Sequence, residues 1–203
     1  GGEFASMSIE LRKEVAEFVT KYINRRVPVL IGTGTPSTTE TISLSKHAKQ
    51  IGADGIVVIN PYYYKLTDAD LFQHYADIAE NVDLPIILYN FPEMTGQDLT
   101  PEFVLRLVKE YPNVVGIKDT VKEVAHIREM IQTLKAEKSD FSIFCGYDEH
   151  FLNTLSLGGD GSIGLTANFA PDIQVNIYQA FKKGNYDQAI ELHRKLASLM
   201  SLY

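Results

Sequence analysis

A lysine stands inside a run that otherwise reads as a buried strand: Val114, Val115, Gly116, Ile117, Lys118, Asp119, Thr120. Taking an ammonium out of water is costly unless it is paired or loses its proton. Burial therefore favours the neutral amine, a nucleophile that forms Schiff bases with carbonyl substrates. The plainer reading is a strand lysine salt-bridged to its neighbour Asp119. An earlier apolar run ends in Leu88, Tyr89, Asn90, Phe91 and Pro92, which puts a phenol at the end of another strand. A phenol is a weak acid and relays protons only beside a hydrogen-bonded partner. Its plainer reading is a core tyrosine.

The elements that would carry these groups alternate. Short Val- and Ile-rich runs occupy 27–31, 55–60, 84–89, 114–118, 141–145 and 161–165. They are continuous rather than alternating, as strands of a parallel sheet buried on both faces are. Helical periodicity fills the gaps. Residues 10–23 carry Leu11, Val15, Phe18, Val19 and Tyr22 on one stripe. Residues 37–51 open on a capping-box pattern, Ser37 with Glu40. Thr100 and Pro101 read as an N-cap followed by proline at the first helical position of 100–110. Further helices are expected over 67–79, 121–134, 149–157, 171–183 and 186–199. Such alternation fits an open doubly wound sheet or a closed (β/α)8 barrel. Thr33, Asn60, Tyr89, Lys118 and Tyr147 all fall at or near carboxyl ends of successive strands. Convergence from many strands favours the barrel; an open sheet concentrates its site at one switch point. Six strands are too few to close a barrel of eight.

The 203 residues suit a single domain over 1–203, and a net charge of −7 argues against a nucleic-acid surface. Cys145 is the sole cysteine, so no intramolecular disulfide can form. Together with the lack of a membrane-length apolar run, this suits a cytoplasmic protein. Five histidines show no paired ligand spacing, so no metal is expected. Gly32-Thr33-Gly34 lacks the third glycine of a dinucleotide loop.

Five stretches taken together carry a resemblance. They are Gly1-Gly2-Glu3, Pro28 to Gly34, Asn60-Pro61-Tyr62-Tyr63, Leu88 to Pro92, and Gly116 to Thr120. In order and spacing they resemble the dihydrodipicolinate synthase / N-acetylneuraminate lyase family. The similarity is greatest to its 2-keto-3-deoxygluconate aldolase-like branch, at Thr95 to Pro101 and Cys145 to Asp148. The resemblance implies a (β/α)8 TIM barrel, here lacking the first two strands and the C-terminal helices. Residues 1–6 also read as a foreign leader ahead of Met7.

The same resemblance implies a class I aldolase or lyase that cleaves a 2-keto-3-deoxy sugar acid to pyruvate and an aldehyde, without a cofactor. It makes Lys118 the Schiff-base lysine and Tyr89 the proton relay. Tyr63 would complete the relay across a dimer interface, in a homodimer or homotetramer; the plainer reading packs it with Tyr62 and Tyr64. Gly1 and Gly2 would hold the pyruvate carboxylate through backbone amides. Gly146, Asp148 and Glu149 would contact sugar hydroxyls, although Asp148 also reads as a helix N-cap. The Ile163 carbonyl would face the imine, with its side chain in the core. Leu165 stands where neuraminate lyases carry serine, and Met94 where dihydrodipicolinate synthases carry a carboxylate-binding arginine. Two alternatives stay open: one of those two activities, or a non-catalytic truncated homologue that keeps a pyruvate site.

Overall fold

The computed structural model describes residues 2–200. Six strands alternate with helices: β1 Leu30–Gly32, β2 Gly55–Ile59, β3 Ile86–Asn90, β4 Val114–Asp119, β5 Ser142–Cys145 and β6 Gly161–Ser162. They follow one another in the sheet in chain order, and the β1–β2, β2–β3 and β5–β6 registers are parallel. The chain divides into two compact units, Gly1–Ile117 and Lys118–Tyr203, with the boundary inside β4.

In the first unit the helices are α1 Ile9–Ile23, α2 Thr38–Gln50, α3 Asp68–Asn81, α4 Pro92–Thr95 and α5 Pro101–Glu110. Their starts follow the side chains that satisfy free backbone donors. Ser8, Ser37, Thr67 and Thr100 each accept from the N–H three residues on. The core joins Ile56 and Val58 of β2, Ile86 and Leu88 of β3, and Leu71, Ile78, Val104 and Leu107 of the helices. Burial on both faces holds for β2 and β3 but fails for β1, where Leu30 is 41 % exposed.

The α1 stripe departs from expectation. Leu11, Val15, Phe18 and Tyr22 are exposed, and Ala16 is the residue that α1 buries. Polar ties join α1 to its neighbours. Arg12 donates to the carbonyls of Gly32 and Gly34, and His47 of α2 meets Glu17 at 2.8 Å.

In the second unit, α6 is Val124–Glu137, α7 Phe151–Ser156, α8 Pro171–Lys182 and α9 Tyr186–Ala197. Ile127, Met130, Leu134, Phe141, Ile143, Phe151 and Ile177 form its core.

Several boundaries differ from the sequence reading, each for a local reason. The run 27–31 pairs only from Leu30, because Pro28 has no N–H and Asp54 takes Val29. The Asp54 carboxylate accepts the Val29 N–H at 2.7 Å, and its own N–H donates to the Val29 carbonyl at 2.9 Å. Asp160 does the same to Ile143 at 2.7 and 2.9 Å. Each aspartate follows a glycine turn at a helix end, Gly52 at φ 85° and Gly158 at φ 95°. The pair of Gly-x-Asp-Gly tetrads, 52–55 and 158–161, is an internal repeat that the sequence reading overlooked. The run 161–165 is strand only to Ser162. The helix expected over 149–157 is a 3-10 turn, Asp148–His150, running into α7, and that expected over 121–134 begins at Val124.

Candidate active site

Five of the singled-out residues occupy a strand's carboxyl end or the loop after it. Thr33 follows β1, Asn60 follows β2, Tyr89 and Lys118 are the penultimate residues of β3 and β4, and Tyr147 lies two residues beyond β5.

Lys118 is half-buried, and the pKa of its amine is lowered from 10.5 to about 8. Burial is the chief cause; Asp148 and then Cys145 pull it upward. Burial also pushes the Cys145 thiol up to about 11, so it carries no charge near neutrality. With a pKa near 8, about one Lys118 in ten is neutral at pH 7, against roughly three in ten thousand for an ordinary lysine. Asp119 lies on the opposite face of β4, as strand alternation requires. There its fully buried carboxylate meets His126 Nδ1 at 2.8 Å.

Asp148 is fully buried, and it opens the 3-10 turn rather than capping α7. Its Oδ2 accepts the Thr166 N–H at 3.0 Å, and its Oδ1 accepts from Gln174 Nε2. A Cβ on Gly164 would fall 1.7 Å from Asp148 Oδ1, so the segment after β6 can only approach that carboxylate as glycine. Gly146 is held in the same way. Its N–H donates to the Asp119 carbonyl at 2.8 Å, and a Cβ there would lie 1.8 Å from Thr120 Oγ1. The residues after β5 are thereby fastened to the end of β4. Glu149 is exposed. Ile163 donates its N–H to the Cys145 carbonyl at 2.9 Å, and its side chain is half-buried rather than core.

In the first unit Tyr89 is half-buried and stacks on Phe91, ring centroids 6.0 Å apart. The rest of its motif is scaffold. Asn90 accepts the Leu99 N–H at 3.0 Å and donates to Asp98 at 2.7 Å. Asn60 donates to the Gln97 carbonyl at 2.8 Å and accepts from the buried Tyr75 hydroxyl at 2.8 Å. Thus the two stretches 89–92 and 95–101 are partners in one loop. Tyr63 is 86 % exposed and left-handed at φ 84°, a conformation costly for a non-glycine residue. It packs edge-on against Tyr64. Gly2 is exposed, and Gly1 lies outside the described residues. Met94 is exposed on α4. Among the described residues, no cluster of three or more His, Cys, Asp or Glu side chains could hold a metal ion. No helix of the described residues is long and apolar enough to cross a membrane.

A family model of the dihydrodipicolinate synthetases matches residues 1–203. The chain belongs to the dihydrodipicolinate synthetase family. One relative is the "Probable 2-dehydro-3-deoxy-D-pentonate aldolase YjhH" of Escherichia coli K12, 52% identical over 203 residues. The match covers all of this chain and 67% of YjhH. YagE of the same organism, provisionally named a 2-dehydro-3-deoxy-D-gluconate aldolase, is 50% identical over the same share. The crystal structure of YagE in complex with pyruvate superposes with a TM-score of 0.98, covering 100% of this chain and 68% of that one. The Thermotoga maritima dihydrodipicolinate synthase gives 0.94 at 36% identity, covering 98% of this chain and 68% of that one. The chain thus spans about two thirds of the length of the family members it matches, and its parallel sheet with helices is theirs.

Sequence reasoning missed the side chains that hold Asp148 and Asp119. Nothing in the periodicity of 171–183 marks Gln174 as a carboxylate partner, and His126 reads as one more helix residue. The glycine at 164 was the available signal.

Proposed function

We propose that this family member is a class I aldolase that cleaves a 2-keto-3-deoxy sugar acid to pyruvate and an aldehyde. The observation that carries the reading is the half-buried strand lysine, Lys118, with its amine brought to about 8. The neutral amine adds to the C2 ketone and water leaves, giving an imine. Once protonated, the imine draws in the C3–C4 bonding electrons as the C4 hydroxyl gives up its proton. The aldehyde departs; the enamine takes a proton at C3, and water releases pyruvate. The imine nitrogen is the electron sink, so the reaction needs no cofactor.

Tyr89 is the proposed relay at the C4 hydroxyl, completed by Tyr63 from a second copy in a homodimer or homotetramer. Tyr63's exposure and strained backbone support a role outside its own fold. Gly1 and Gly2 would hold the pyruvate carboxylate, with the Ile163 carbonyl facing the imine. Gly146, Asp148 and Glu149 would serve the sugar hydroxyls, Glu149 most directly because it is exposed. We take the six-stranded sheet to be part of a (β/α)8 barrel working in the cytoplasm. Dihydrodipicolinate synthesis is less well supported, because exposed Met94 brings no cation for a second carboxylate.

A panel of 2-dehydro-3-deoxy-D-gluconate, 2-dehydro-3-deoxy-D-pentonate and N-acetylneuraminate, scored for pyruvate release, tests the reading. Release from one or both deoxy sugar acids is expected. Release from neuraminate alone, or from none, contradicts it.

A further inference from the structure

Arg12, in the first turn of α1, is half-buried and stands between two segments of the first unit. Its Nη2 gives one hydrogen to the Gly32 carbonyl at 3.0 Å and the other to the Gly34 carbonyl at 3.2 Å. Those acceptors are held against β2. Gly32 pairs in register with Val57, the Thr33 N–H donates to the Val57 carbonyl at 3.0 Å, and a Cβ on Gly34 would fall 2.7 Å from Ile59 Cγ2. On its other side the guanidinium carbon lies 5.2 Å from the centre of the Phe4 ring, within cation–π reach. Phe4 also meets the Tyr62 ring edge-on, centroids 6.2 Å apart. Each end of this cluster adjoins a left-handed non-glycine residue: Glu3 at φ 54° precedes Phe4, and Tyr63 at φ 84° follows Tyr62.

A left-handed glutamate persists only where its surroundings hold the turn. The Ser6 N–H closes this turn on the Glu3 carbonyl at 3.0 Å, and the Phe4 ring, between Arg12 and Tyr62, ties it to the ends of β1 and β2. We propose that Arg12 is a positioning residue, which pins the turn after Gly1-Gly2 to those strand ends and thereby sets where the glycine pair meets the pyruvate carboxylate. The proposal rests on the reading of Gly1 and Gly2 as the carboxylate holders. A planar guanidinium suits the task, because its edge serves the carbonyls while its face covers a ring.

The test treats the full chain with pyruvate and borohydride. It follows the pyruvate concentration that half-saturates adduct formation on Lys118, and the limiting rate. Arg12→Met should raise the half-saturating concentration roughly tenfold while the limiting rate stays within about twofold, the pattern of a displaced binding group rather than a damaged reacting one. Phe4→Leu should shift it the same way and serves if Arg12→Met does not fold. Arg26→Met is the matched control. Arg26, just beyond the other end of α1, also bonds two carbonyls, those of Tyr22 and Ile23, and covers the Tyr22 ring at 5.3 Å. Its loss should move neither value. Deuterium exchange at Ser6 and Met7, whose amides close the turn, should quicken in Arg12→Met and not in Arg26→Met. Unmoved exchange in Arg12→Met overturns the proposal, as does quickened exchange with an unchanged half-saturating concentration, or an equal loss in Arg26→Met. If pyruvate never captures the parent chain, the aldolase reading fails; exchange quickened in Arg12→Met alone then upholds the pinning of the turn, and unmoved exchange overturns it as well.

Discussion

Titrating Lys118 is the most quantitative consequence of the geometry. Covalent chemistry at the amine follows its neutral fraction. With a midpoint near 8, that fraction is ~1 % at pH 6 and ~90 % at pH 9, a rise of about 90-fold that flattens beyond pH 9. An unperturbed lysine would rise about 1,000-fold over the same interval, still only ~3 % neutral at pH 9 and with no plateau. The shape of the curve therefore separates the two cases better than its size. Pulse acetylation of the unmodified protein, with exposed Lys21 as the internal standard, measures it directly. A Lys118 curve that parallels Lys21 up to pH 10 would refute the argument that burial lowers this amine. The stability consequence has a definite sign. Between pH 8 and 10.5 the unfolded chain holds the proton that folded Lys118 has lost, so folding strengthens as pH rises through that window.

Three other outcomes follow from particular contacts. His74 is buried, with Nδ1 on Thr38 Oγ1 and its pKa lowered from 6.5 to about 4 by burial. The unfolded chain binds the extra proton between those values, so stability should fall by about 3 kcal/mol as pH drops from 6.5 to 4. Urea titrations of His74→Leu should lose most of that slope. Gly146→Ala pushes a methyl into Thr120; thermal melts should show about 1–3 kcal/mol of destabilisation, and pyruvate capture should drop because the end of β4 shifts. Tyr75→Phe removes the donor to buried Asn60 Oδ1, which should cost about 1–3 kcal/mol in denaturant titration; a neutral result would mean the Asn60–Gln97 link needs no support.

The order of elements was readable because β-α alternation, capping residues and prolines are local signals. Ser37, Thr100 and Pro101 stand where their types place them. Strand ends were less readable, because they are decided by partners distant in sequence: Asp54 on Val29 and Asp160 on Ile143. The α1 stripe shows the limit of periodicity. It locates an apolar face but does not say what that face meets. Lys118 and Tyr89 stood out because a polar group ending an apolar run is rare enough to notice. Gln174 and His126 did not, since a helix tolerates either residue anywhere, and their carboxylate partners lie 26 and 7 positions away.

The central claim is that Lys118 becomes covalently joined to its substrate. Incubating the protein with pyruvate, adding borohydride and mapping the peptides measures this most directly. Reduction should leave a stable pyruvate-derived adduct on Lys118 and prevent later turnover, while Lys118→Met should show no adduct. An intact Lys118 side chain after reduction, or an adduct carried by another lysine, would contradict the account.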